Sequence, residues 1–106
     1  MNFKDYILEE WDKTYDVVYE DNSLRVLLLH LVHETGLKES GRKNLIAVGR
    51  DEQVLWAAEP PKMGRNLGSF HSISVVDEKI VGWYGGSMQV ELDLNTGRII
   101  KEQFHR

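Results

Sequence analysis

Two strand-turn-strand stretches about 45 residues apart repeat one another, and this repetition constrains the fold more than any other feature of the chain. The first is Val48-Gly49-Arg50-Asp51-Glu52-Gln53-Val54-Leu55-Trp56. The second, one residue longer in its turn, is Leu92-Asp93-Leu94-Asn95-Thr96-Gly97-Arg98-Ile99-Ile100-Lys101. A further match, about 56 residues apart, pairs Val18-Tyr19-Glu20-Asp21-Asn22-Ser23-Leu24 with Val75-Val76-Asp77-Glu78-Lys79-Ile80, again an apolar run, an acidic turn and an apolar run. The two spacings differ by about 11 residues, which places an inserted loop in the first copy, over the polar stretch 33–43.

Each copy then holds four short strands. The expected fold is mainly β: about eight antiparallel strands in a meander of two four-stranded halves, half-propeller or sandwich-like. Strands are predicted near 15–19, 24–32, 44–49, 53–58, 70–76, 79–84, 88–93 and 98–104. In Met88 to Asp93 the alternation is clean, with Met88, Val90 and Leu92 inward and Gln89, Glu91 and Asp93 toward water. Val26-Leu27-Leu28-Leu29 is too short to span a bilayer and reads as a strand buried on both faces. Asn95-Thr96-Gly97 supplies the last turn, with Gly97 at positive φ. Phe3, Tyr6, Ile7 and Trp11 recur at helical spacing behind a capping Asn2, so residues 1–13 read as a short amphipathic helix covering a sheet edge or open face. Residues 14–58 and 69–105 form the two halves.

With 106 residues, 42% of them apolar, the chain is one domain. It has no cysteine, which removes disulfides, thiol catalysis and thiolate zinc sites and suits a reducing compartment. The first residues are acidic where a secretory signal would be basic and then apolar, so a cytoplasmic location is expected, with no membrane association. A net charge of -4 argues against a nucleic-acid partner, which would call for a dominant positive field.

A meander sends alternate connections to opposite ends of its sheets. One end collects Glu20, Asp21, Asp51, Glu52, Asp77 and Glu78 into an acidic rim, the expected partner-binding surface. The other collects the long loops 33–43 and 59–69, with Lys62 and Arg65, which together with Trp83 and Tyr84 form the alternative binding face for a small molecule or sugar. Acids also suit turns for solubility alone.

Catalytic arrangements are weaker. His30 and His33 would point to opposite faces of a strand, unlike the i, i+4 pair of a helical zinc site, so no metal is expected. His71 shares parity with Ile73 and Val75 and reads as a hydrogen-bonded sheet histidine. A nucleophile pair with Ser69 or Ser72 would need an orienting carboxylate and an oxyanion hole. Gly64-Arg65-Asn66-Leu67-Gly68-Ser69 lacks the Lys-Ser/Thr of a phosphate loop.

The segment Leu92 to Ile100 resembles the strand-turn-strand signature of quinoprotein-type β-propeller blades, and Trp56 stands where such blades often carry tryptophan. The resemblance concerns architecture and implies no cofactor. In size and charge the chain is similar to the immunity proteins of bacterial toxin systems, including contact-dependent growth inhibition. That similarity implies a non-catalytic protein that binds and neutralises a toxin domain, a basic nuclease being the class whose phosphate-binding residues acidic turns would attract.

Overall fold

A computed structural model of the chain describes residues 1–7, 11–31, 44–59, 61, 70–85 and 88–105. Its elements are α1 (Phe3–Ile7), β1 (Trp11–Glu20), β2 (Leu24–Leu31), β3 (Leu45–Gly49), β4 (Val54–Ala57), β5 (Phe70–Val76), β6 (Lys79–Tyr84), β7 (Met88–Asp93) and β8 (Ile99–Phe104). They form two antiparallel four-stranded sheets, β1-β2-β3-β4 and β5-β6-β7-β8, in the expected meander.

The helix is shorter than the residue spacing predicts. Asn2 caps it, its Oδ1 accepting from Lys4 N–H at 2.9 Å, but Trp11 already lies in β1 opposite Leu31. Five helical residues are too few to be stable alone. They are held because Val54 N–H donates to Met1 C=O at 2.7 Å and Phe3 N–H to Glu52 C=O at 3.0 Å, while the chain beyond gains ladder bonds to β2.

The repeated hairpins correspond down to their irregularities. In β3–β4, Val48 pairs with Val54 and Ala47 with Trp56, leaving Leu55 as the extra, exposed residue; in β7–β8, Leu92 pairs with Ile99 and Glu91 with Lys101, leaving Ile100 extra and exposed. Val54 and Ile99 therefore occupy equivalent places. Carried across the ladders, this equivalence matches Tyr19–Val26 with Ser74–Val81, a spacing of 55 rather than 56. Aligning the acids of the two turns slips the register by one residue. A one-residue slip exchanges the two faces of a strand.

The corrected register shows how the sheets stack. On the first sheet Val48 and Val54 belong, with Leu27, Leu29 and Ile46, to the face that α1 covers with Phe3 and Tyr6. Their counterparts on the second sheet, Leu92 and Ile99, face the first sheet instead. The sheets thus stack in the same sense, the second turning toward the first the face that the first turns toward α1. The core between them joins Leu24, Val26, Leu45, Ala47, Trp56 and Ala58 to Phe70, Ile80, Tyr84, Met88, Val90, Leu92 and Leu94. β2 is buried on both faces, as its apolar run implies.

Two polar contacts lock the stack. Asn44, only 3% exposed, acts as a piece of backbone: its Oδ1 accepts from Phe70 N–H at 2.8 Å, and its Nδ2 donates to Phe70 C=O at 2.9 Å and Leu29 C=O at 3.3 Å. At the other end Trp56 Nε1 donates to Leu94 C=O at 3.1 Å, and Gly97, at φ 72°, lies on the indole so closely that a Cβ there would come within 2.4 Å of it.

Candidate functional site

Strand direction and stacking bring the turns β1–β2, β3–β4, β5–β6 and β7–β8 to one end of the molecule. Leu94 N–H donates to Glu78 C=O at 3.1 Å across two of them, and Trp56 reaches Leu94 from the other sheet. This is the acidic end expected from the turn sequences.

Its acids divide by what they touch. Asp21 is absorbed by its own turn: Oδ1 accepts from Ser23 N–H at 2.7 Å, Ser23 Oγ at 2.8 Å and Leu24 N–H at 3.0 Å, and Oδ2 from Tyr19 OH at 2.8 Å. These donors, the Ser23 amide foremost, hold the Asp21 carboxyl well below the usual carboxylate range. The Tyr19 phenol is pushed up in return, first by its bond to Asp21, then by burial and by the charges of Asp21 and Glu78. Asp51 Oδ1 accepts from Gln53 N–H at 3.2 Å, and Asp93 Oδ1 from Asn95 N–H at 2.7 Å and Thr96 N–H at 3.1 Å. Glu52 meets Arg25 at 3.1 Å, whose guanidinium lies 5.7 Å from the Phe3 ring centre. Arg50 Nη1 donates to Asn22 C=O at 3.0 Å, joining the two turns of the first sheet. Among the described residues, Glu20, Asp77 and Glu78 are exposed and form no ion pair.

Between the β1–β2 and β3–β4 turns lies an open groove of about 490 Å³, lined by Glu20, Asp21, Arg25, Arg50 and Glu52 among others. Asp77 and Glu78 sit on the neighbouring turn. There Val76 pairs directly with Lys79, and both intervening residues are left-handed, Asp77 at φ 51° and Glu78 at φ 64°. Such a two-residue turn is cheapest with Asn-Gly. Glu52 is left-handed too, at φ 67°.

The alternative face is divided by the pleat. Tyr84 is buried in the core, edge-on to Phe70 with ring centres 5.0 Å apart, whereas Trp83 lies half-buried on the outer face of the second sheet. Adjacent strand residues cannot form one platform. Lys62 and Arg65 lie outside the described residues, as do His33 and the loops 33–43 and 62–69. His30 meets Asp16 at 3.2 Å. His71 does not share a face with Ile73 and Val75: a bulge with Ser72 at φ 53° separates them, so His71 pairs with Trp83 and is exposed while Ile73 and Val75 pack on the core. Its Nε2 bonds the Gly85 carbonyl, and its Nδ1 lies 3.1 Å from Ser72 Oγ.

Sequence reasoning found the last turn but missed the Asp93 carboxylate that holds it, and it missed the bracing by Tyr19, Arg25 and Arg50. Asp93 carried a readable signal, an aspartate at the head of a polar turn able to bond the amides two and three residues on. The arginines carried none, because their partners lie 27 and 28 residues away.

Among the described residues no helix is long and apolar enough to cross a membrane. Neither the curated proteins nor the solved structures contain a match to this chain. A family model does match, over residues 9–104, a span that includes all eight strands, and the chain belongs to that family, the domain of unknown function DUF7957.

Proposed function

We propose that this chain is a non-catalytic, cytoplasmic protein-binding module whose acidic rim engages a basic protein, and that its role is that of an immunity protein neutralising a toxin domain, a basic nuclease being the class that fits. The observation carrying this reading is where the backbone strain falls. Among the described residues four non-glycine residues have positive φ, and three of them, Glu52, Asp77 and Glu78, are rim acids. Gly, Asn and, less readily, Asp accept the left-handed conformation, but a left-handed glutamate costs about 1 kcal/mol or more, so the strain falls on Glu52 and Glu78. Solubility asks only for polar turns and is met more cheaply by Asn-Gly. Acids kept at such positions point to a use for their charge.

The field supports the same partner. This end carries Glu20, Asp21, Asp51, Glu52, Asp77, Glu78 and Asp93 against Arg25, Arg50, Lys79 and Arg98. An excess of negative charge on exposed turns steers a cationic protein and speeds association in a salt-dependent way. The propeller-like reading of the two sheets accords with their same-sense stacking.

The deciding experiment replaces the strained acids by the turn the backbone prefers, Asp77→Asn with Glu78→Gly. The protein encoded beside this chain is co-expressed with it and the association rate is followed over a range of salt. The variant is expected to be about 1 kcal/mol more stable, strain relief outweighing the extra unfolded-state freedom of glycine, and to associate several-fold more slowly with a shallower salt dependence. A variant that is more stable and binds as fast as the parent at every salt concentration would refute the rim as the docking surface.

A further inference from the structure

We propose that the outer face of the second sheet is a binding site for a neutral sugar ring, with Trp83 as its stacking surface. The site lies apart from the acidic rim and does not depend on it.

The face is a grid set by strand register. One row runs His71, Trp83, Gln89, Gln103, and the next Ser74, Val81, Glu91, Lys101. The corresponding rows of the first sheet, on the face packed against the second, hold Leu28, Leu45 and Ala58 beside Val26, Ala47 and Trp56. An outermost sheet needs a polar surface, and β7 and β8 supply it: Leu45, Ala47, Trp56 and Ala58 are answered by Gln89, Glu91, Lys101 and Gln103. Position 83 goes the other way. Where the first sheet has Leu28, the outer face of the second has a larger aromatic residue, itself partly exposed. Solvation does not account for that substitution, whereas a ligand that stacks does.

The surroundings of Trp83 select the ligand. His105 lies against the indole with ring centres 5.0 Å apart, and its Nε2 meets Gln89 Oε1 at 3.1 Å. Donation from His105 to the Gln89 carbonyl orients that side-chain amide. Beside it a trough of about 150 Å³ is lined by Val81, Gln89, Glu91, Lys101 and Gln103. Two amides that both donate and accept, one acceptor in Glu91 and one donor in Lys101 match adjacent hydroxyls. Glu91 and Lys101 are direct cross-strand partners of opposite charge, so the trough offers no net charge to a phosphate or carboxylate. The indole face takes the C–H face of the ring.

Size decides between a sugar and a protein. Four strands about 4.8 Å apart and six residues long at about 3.3 Å each present roughly 400 Å². A stable protein interface needs about 800 Å² from each partner. The face suits one or two rings.

The test is a nuclear magnetic resonance titration of the full chain with maltotriose, cellotriose and chitotriose in turn. At least one is expected to shift the Trp83 indole N–H and the Gln89 and Gln103 side-chain amides, with a dissociation constant of about 1 mM or tighter. Trp83→Ala should weaken that binding at least tenfold. Gln103→Ala, at an exposed edge position that leaves the core untouched, should weaken it several-fold. The proposal is overturned if none of the three sugars shifts these signals at about 20 mM, well above that constant. It is equally overturned if neither substitution alters the shifts, or if the signals follow protein concentration instead of sugar, which would make the face a contact between copies.

Discussion

Replacing Gly97 by alanine measures how tightly the two sheets are locked. At φ 72° an alanine pays left-handed strain of about 1 kcal/mol. Its Cβ would also stand 2.4 Å from Cδ2 and Cε3 of Trp56. The indole cannot slide away freely, being 9% exposed in the core and tied through Nε1 to Leu94 C=O. Relieving the overlap by forced repacking costs about 1–3 kcal/mol, so the total comes to about 3 kcal/mol, a large share of the roughly 5–15 kcal/mol that stabilises a domain. Gly85 is the internal control, with φ 65° and nothing among the described residues within 4 Å of the place its methyl would take, so Gly85→Ala should show the backbone strain alone, about 1 kcal/mol. Urea unfolding followed by circular dichroism gives both values, and their difference, about 2 kcal/mol, belongs to the contact with Trp56. Equal losses for the two variants, within about 0.5 kcal/mol, would refute the claim that Gly97 is kept for the approach of the indole.

Asn44→Ala should destabilise by about 3 kcal/mol in the same assay, because it strips partners from both polar groups of Phe70 in a buried setting. Asp21→Ala should change the acid limb of the stability profile. The folded carboxyl lies below its unfolded value of about 3.9, so its contribution is complete above that pH and is lost as pH falls toward the folded value. The parent and variant stability curves should therefore converge on acidification below about pH 4, and a gap that stays constant there would refute the role of the Asp21 turn.

The eight strands were legible because alternation and turn chemistry are local, and the hairpins because both copies carry the same residues around their turns. Trp56 stands out in the sequence too, though its partner does not: nothing in the local pattern says that an indole 38 residues away needs the carbonyl of Leu94 and the bare backbone of Gly97. Register was harder. Matching acids with acids sets the turns one position off, and at period two that error is the difference between a core face and a water face. The same parity sets Trp83 outside and Tyr84 inside, and a single left-handed Ser72 moves His71 off the face its neighbours share. Turn composition placed the rim acids at one end of the molecule. It did not by itself say which would be consumed by their own turns, although Asp21, like Asp93, has the short side chain that bonds the amides two and three residues on, which the longer Glu78 lacks.

Stacking sheets in the same sense is open-ended, unlike a face-to-face pair. Each layer offers on its far side the kind of surface that accepted the layer before, so the arrangement contains its own rule for growing, as a head-to-tail interface does between subunits. A short chain built this way must terminate itself twice. One terminus of the stack is closed by Phe3 and Tyr6 of α1, five residues pinned to β4. Among the described residues, the other is closed by chemistry, through Lys101 and Glu91 where the inner layer has Trp56 and Ala47. Keeping the stack from growing therefore rests on a few end-of-stack side chains.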